Sequence, residues 1–370
     1  MDKHFPLSKP PERILVISMR HIGDVLLTTP LIRSLQQAYP DAQIDVMVYE
    51  RTAAILEGNP DIAQIITVPL KPNAVEYINI VRHIFRRYSL AVVTQAGDRP
   101  LIYALFASAQ RIGLVPDRQT KAWWKRYFLQ GWTEFDDVNT HTVIQFLRLM
   151  DVIEQPKHYA LTTPEKTIAK SLPFKKYAIL HLYPLWKYKR WHLKGWLSIA
   201  DFLLEQGVNI VLTGSPAKDE VEYVNSLHQK LPDQVVNLAG KTSLSQLTEL
   251  ISNALLFIGP DTGVTHLASA TGTPTIAIFG PTNPVKWAPW PLGYASDKNP
   301  FARTGNQQVN NIYLIQGQGD CVPCYLEGCD RHRGSHSRCL DELPASDIKN
   351  AVSKILVNEL TCVRKVYSAK

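Results

Sequence analysis

No stretch of this sequence is apolar for long enough to cross a bilayer. A spanning helix needs roughly 18 or more consecutive apolar residues, and polar or charged side chains interrupt every apolar run before that length. Residues 1–12 are polar and Pro-rich, without the apolar centre of a secretory leader, so a cytoplasmic protein is expected. Gly/Ser, Gln/Asn and acidic tracts are missing too, which excludes a large disordered segment. No compact basic run with interleaved aromatics appears on the scale that a single nucleic-acid strand requires, and nucleic acid is not expected as a partner. Cysteine is scarce, with five among 370 residues, yet four of them lie between Cys321 and Cys339. In a reducing compartment such a group reads as thiols or a metal site before disulfides.

What remains is an ordinary globular composition, 45% hydrophobic and 20% charged, over a length that favours two domains. The formal charge of +7 is compatible with a phosphorylated small molecule or an anionic membrane surface as partner, and equally with an excess of solvated Lys and Arg. From Arg13, β-prone runs at residues 14–18, 43–48, 64–68, 90–94 and 111–113 alternate with helical spacing near 25–38, 51–57, 75–87, 101–108 and 138–152. Pro30 either kinks the first helix or opens it behind a Thr29 cap. The polar, Pro-bearing stretch 153–173 reads as a linker, so domains are expected at 1–170 and 171–370. The rhythm then restarts, with strands at 177–182, 208–213, 235–238, 255–258 and 275–279 and helices near 193–206, 217–230, 244–253 and 264–270. Two doubly wound α/β domains follow. Such sheets bind ligands at the carboxyl ends of their strands, so a cleft between facing domains is expected.

The segment Phe257-Ile258-Gly259-Pro260-Asp261-Thr262-Gly263-Val264-Thr265-His266 leads from a buried strand through a tight turn into a helix. Asp261 or Thr262 can cap that helix, and small Gly263 lets a diphosphate approach its free amides and positive dipole end. The same segment is equally a well-capped helix of any α/β protein. Phe279-Gly280-Pro281-Thr282-Asn283-Pro284 ends the following strand in a second polar turn on the same sheet edge. Lys187, Lys189 and Arg190, after the strand ending near Leu182, can neutralise a diphosphate leaving group without a metal, or form a solvated loop. In the first domain Asp24 follows Met19-Arg20-His21-Ile22-Gly23 at a strand-to-helix turn. It is a general-base candidate for an acceptor hydroxyl attacking an anomeric carbon, or a helix N-cap.

Taken together, Gly23-Asp24-Val25-Leu26-Leu27-Thr28-Thr29-Pro30, Asp261-Thr262-Gly263-Val264-Thr265-His266 and Phe279-Gly280-Pro281-Thr282 resemble the lipopolysaccharide core heptosyltransferases. The resemblance runs from about Arg13 to about Ile355 and is nearest to the members that add the third, branching inner-core heptose. It implies an α/β GT-B architecture: two Rossmann-like domains facing across a cleft, with acceptor bound by residues 1–170 and ADP-heptose by residues 171–370. The implied reaction moves L-glycero-D-manno-heptose, with inversion, to a heptose of the inner core. No metal or other cofactor is required for it. Asp24 matches the family's catalytic base, and Asp261, Thr262, Gly263 and His266 match its donor-binding motif. Lys189 resembles its phosphate-binding lysine, and Thr242 falls where the backbone contacts adenine. Asp219 and Glu220, in the loop 214–220, are both candidates for the ribose, whereas Pro184 replaces a hydroxyl that some relatives place before the lysine.

The implied acceptor, a lipid A core bearing phosphates and Kdo carboxylates, calls for cations. Arg20, His21 and Arg51, with Arg99 and Arg118, follow first-domain strands and form the expected acceptor region. A lipid-linked acceptor also implies a transient, charge-assisted encounter with the cytoplasmic face of the inner membrane. Two other readings stand beside this one: addition of the second core heptose, and a noncatalytic nucleotide-sugar-binding protein. The cysteines at 321, 324, 329 and 339 are numerous enough for a structural zinc, but their spacing is irregular, and a thiol-rich loop covering the donor edge is favoured.

Overall fold

The computed structural model describes residues 2–117, 123–169 and 171–368. The chain forms two compact units, Met1–Glu165 with Gly293–Asn299, and Lys166–Leu292 with Pro300–Lys370. In the first, β1 (Arg13–Ile17), β2 (Gln43–Tyr49), β3 (Gln64–Val68), β4 (Leu90–Val93), β5 (Arg111–Val115) and β6 (Gly131–Glu134) build one parallel sheet in the order β3-β2-β1-β4-β5-β6. β1 and β4 are almost wholly apolar and buried, as strands covered by helices on both faces must be. The sixth strand is four residues long with a half-buried alternation. So short a signal does not declare itself in the sequence, and its pairing with β5 creates it.

The helix expected over 25–38 is two helices, Ile22–Leu27 and Thr29–Ala38. Pro30 sits in the first turn of the second, where its missing N–H costs nothing. Thr28 makes the joint, its hydroxyl donating to the Asp24 carbonyl at 2.9 Å. The stretch read as a helix near 51–57 is a 3-10 turn, Glu50–Leu56.

The second unit repeats the plan. β7 (Tyr177–His181), β8 (Asn209–Thr213), β9 (Val236–Asn237), β10 (Leu256–Pro260), β11 (Thr275–Phe279), β12 (Gln307–Val309) and β13 (Ile312–Gln316) lie in the order β12-β13-β11-β10-β7-β8-β9. All neighbours are parallel except the edge strand β12, antiparallel to β13. In each sheet the strand order reverses beside its first strand, between β1 and β4 and between β7 and β10, which are the switch points where open α/β sheets hold ligands. The helix Ala345–Ser368 packs on the helix Leu193–Glu205 and buries Ile348, Val352 and Ile355. The segment Gly293–Asn299 returns to the first unit, where Lys157 meets Asp297 at 3.0 Å and Asn299 donates to the Asn139 carbonyl at 2.7 Å. Among the described residues no helix is long and apolar enough to cross a membrane.

Candidate active site

The loop after β1 carries the first-unit candidates. His21 is the N-cap residue of the helix Ile22–Leu27, so Asp24 is not a cap but the third residue inside its first turn. Its side chain is 7% exposed and pairs with Arg20, Nε to Oδ1 at 2.9 Å. Asp24 is therefore held at the switch point of its sheet by a guanidinium one turn earlier. His21 and Arg51 are exposed, Arg51 with its guanidinium 5.8 Å from the Tyr49 ring. Arg99 donates to the Leu70 carbonyl at 2.8 Å. Arg118 lies outside the described residues.

In the second unit the structure brings Lys189 and Asp261 together. β7 feeds the 3-10 turn Lys187–Lys189, and β10, its parallel neighbour, ends in the turn bearing Asp261, so the two residues reach the switch point from opposite strands. Lys189 Nζ lies 2.6 Å from Asp261 Oδ2. Thr262 is the N-cap of the helix Gly263–Thr271, its hydroxyl accepting from the Thr265 amide at 3.3 Å. A helix leaves its first amides without intrahelical partners; here those of Gly263 and Val264 stand at the positive end of the dipole, where an anion is favoured. Thr282, from the turn after β11, hydrogen-bonds Asp261, and buried His266 stands close enough to bias its charge. Burial alone would push the Asp261 carboxyl up. The Lys189 ammonium, with His266 and the Thr282 hydroxyl, outweighs burial and holds that carboxyl below its usual 3.8.

Comparison with known proteins finds similarity to heptosyltransferases. The sequence profile of glycosyltransferase family 9 (heptosyltransferase) matches residues 139–298. A lipopolysaccharide heptosyltransferase 3 of Escherichia coli is 28% identical over 364 residues, covering 93% of this chain and 99% of its own. Along nearly its whole length the chain is thus similar to lipopolysaccharide heptosyltransferases. Its fold is GT-B. A family 9 glycosyltransferase of Veillonella parvula superposes with a TM-score of 0.74 at 18% identity, covering 94% of this chain and 97% of the other. The E. coli ADP-heptose lipopolysaccharide heptosyltransferase II superposes with a TM-score of 0.70 at 21% identity, covering 94% and 99%.

Around the Lys189–Asp261 pair the protein builds supports that the sequence did not announce. The cysteine-bearing loop packs against the segment carrying Lys189: the Lys187 amide donates to the Arg333 carbonyl at 3.1 Å and the Ser337 hydroxyl to the Tyr188 carbonyl at 2.6 Å. Gly328 sits at φ +83° beneath Tyr188, and a Cβ there would come within 2.7 Å of the tyrosine Cβ. Cys339 is buried, and burial, with the neighbouring Cys324, Cys329 and Cys321 thiols, pushes its own thiol up to about 12. Among the described residues no three His, Cys, Asp or Glu side chains converge as a metal site.

Beyond β7 and β8, Arg190 lies over the Tyr183 ring at 3.8 Å and donates to its hydroxyl, which in turn donates to Asp219 at 2.5 Å. Glu220 turns inward instead, accepting from Ser215, and burial raises its carboxyl. Asp219 and Glu220 thus part company: one is exposed beside Tyr183, the other closes the Gly214–Ser215 turn from beneath. Gly240, at φ +71°, donates to the Gly214 carbonyl at 2.9 Å and ties that turn to the one before Thr242. Thr242 precedes Ser243, which with Gln246 forms a capping box on the helix Leu244–Ser252.

The depressed Asp261 carboxyl sets a pH signature. A carboxyl held below its unfolded value adds stability that is present above that value and lost as pH falls through the folded one. Asp261→Asn should cost about 1–2 kcal/mol at neutral pH, discounted because Lys189 is partly exposed. The gap in urea-unfolding free energy between wild type and variant should stay constant down to about pH 5 and narrow only below 3.8. A gap that closes near pH 5 would show that the carboxyl is not held low.

Proposed function

We propose that this enzyme transfers L-glycero-D-manno-heptose from ADP-heptose to a heptose of the lipopolysaccharide inner core, adding the third, branching residue. The observation that carries the reading is the Lys189–Asp261–Thr262 arrangement at a helix N-terminus, in a chain similar along nearly its whole length to a lipopolysaccharide heptosyltransferase 3. The second unit binds the donor. Lys189 and the Gly263 and Val264 amides take the diphosphate oxygens, Asp261 orients Lys189 and faces the heptose hydroxyls with His266, and the backbone at Thr242 meets the adenine. The first unit binds the acceptor, with Arg20, His21 and Arg51 toward its phosphates and carboxylates.

Asp24 takes the proton of the acceptor hydroxyl as that oxygen bonds to the anomeric carbon. The bond from that carbon to the diphosphate breaks on the opposite side, configuration inverts, and ADP leaves with the electron pair. The charge growing on the diphosphate meets the Lys189 ammonium and the helix dipole, which do the work a divalent cation does elsewhere, so the reaction is metal-independent. The enzyme works at the cytoplasmic face of the inner membrane, meeting its lipid-linked acceptor peripherally.

The test is ADP release from ADP-heptose with two purified cores, one ending after the first heptose and one after the second. Turnover confined to the two-heptose core is expected. Preference for the one-heptose core would assign the second transfer instead, and ADP-heptose binding without turnover on either would leave a nucleotide-sugar-binding protein.

A further inference from the structure

Three successive helical elements of the first unit, separated by β4 and β5, expose large apolar side chains. Phe85, 54% exposed, follows the helix Ala74–Ile84; Leu105 and Phe106 lie on the outer side of the helix Asp98–Ala107; Trp124, Tyr127 and Phe128 are exposed on the 3-10 turn Trp123–Phe128, Tyr127 at 73%. The middle helix packs against both other elements. The Arg86 amide donates to the Phe106 carbonyl at 2.9 Å and Arg111 Nε to the Phe128 carbonyl at 2.8 Å, so the segments that carry these rings are neighbours. A solvated helix face carries polar residues at such positions, and a contiguous apolar strip marks an interaction surface.

The charge around the strip is predominantly positive. Arg82, Arg86 and Arg87 are exposed along its edge, and from Ala74 to Phe128 the sequence has nine Lys or Arg against three Asp or Glu, in a chain whose net charge is +7. A like-charged strip repels a second copy of itself. A nucleic-acid platform interleaves rings with accessible cations, whereas the two cations within the aromatic turn are buried: Lys125 is paired with Asp98 at 2.6 Å and Arg126 with Glu134 at 3.6 Å. Rings of Trp and Tyr settle at headgroup depth, and flanking arginines meet lipid phosphates.

We propose that this strip is the surface by which the protein lies on an anionic bilayer. The assignment rests on the reading above only for why a bilayer is met; it adds which face meets it. The experiment is cosedimentation of the full chain with phosphatidylcholine vesicles, with and without about one third phosphatidylglycerol. Two variants are compared with wild type, Trp124→Ser with Tyr127→Ser, and Arg82→Glu with Arg87→Glu; all four side chains are exposed. Wild type should bind the anionic vesicles, more weakly as salt is raised, and each variant should partition about tenfold or more less, with melting temperature and ADP binding unchanged. No binding by wild type, equal binding by the ring variant, or equal binding at high salt overturns the proposal. So does a wild-type dimer that the ring variant dissociates without loss of vesicle binding, because a second copy then covers the strip. Heptosyl transfer to a detergent-dispersed core, run in parallel, separates the two claims. Vesicle binding without transfer refutes the reaction and leaves the surface, while transfer without vesicle binding refutes the surface alone.

Discussion

Asp24→Asn is expected to lower turnover by about two to four orders of magnitude, the usual worth of a positioned general base. The amide keeps the shape of the carboxylate but cannot take the acceptor's proton. ADP affinity should be unchanged, because the proposed donor residues Lys189 and Asp261 follow β7 and β10 of the other unit. Stability should fall by no more than about 1 kcal/mol, since the part-exposed Arg20 loses one ion pair. The stability arm matters because Asp24 also reads as a helix cap in the sequence, and a lost cap costs about 1 kcal/mol without touching catalysis. In the folded protein His21 holds the cap position, so the catalytic and structural effects separate. Steady-state ADP release, calorimetric ADP binding and a melting curve measure all three. Turnover within tenfold of wild type would remove Asp24 from the reaction.

Lys189→Met is expected to weaken ADP binding by about ten- to a hundredfold, the loss of a charge-assisted bond to phosphate. It should also lower kcat, because charge on the diphosphate grows toward the transition state and meets no ammonium. The variant strips buried Asp261 of its ion-pair partner at the same time. Lys189→Arg keeps the charge and therefore separates the two effects: it should restore most ADP affinity, with a smaller return of kcat because the longer, planar guanidinium does not place its charge where the ammonium was. Unchanged ADP affinity in Lys189→Met would reduce the lysine to a partner of Asp261.

The two halves of the proposed donor site were legible to different degrees. Asp261, Thr262, Gly263 and His266 fall within six residues, and a strand, a turn and a capped helix written in one segment can be read without a fold. Lys189 was a cation in a basic run until β7 and β10 proved adjacent and set it 2.6 Å from a carboxylate 72 positions away. The thiol cluster shows the same divide: cysteine spacing alone poses a choice between zinc and loop, and only the packing of Ser337 and Arg333 on the segment 187–188 says what that loop supports. The aromatic turn at 123–128 places four rings beside two cations, and only the fold decides that Lys125 and Arg126 turn inward and the rings stay outside.

By itself the sequence determined the alternation of strand and helix, the two-domain plan and the residue chemistry of each turn, because apolar periodicity, glycine and capping are local properties of neighbouring residues. Strand order, the return of Gly293–Asn299 to the first unit and the pairing of Lys189 with Asp261 were decided by tertiary structure. Each depends on hydrogen bonds and charges between segments far apart in the chain, whose proximity is fixed only when the sheets assemble and bury them together.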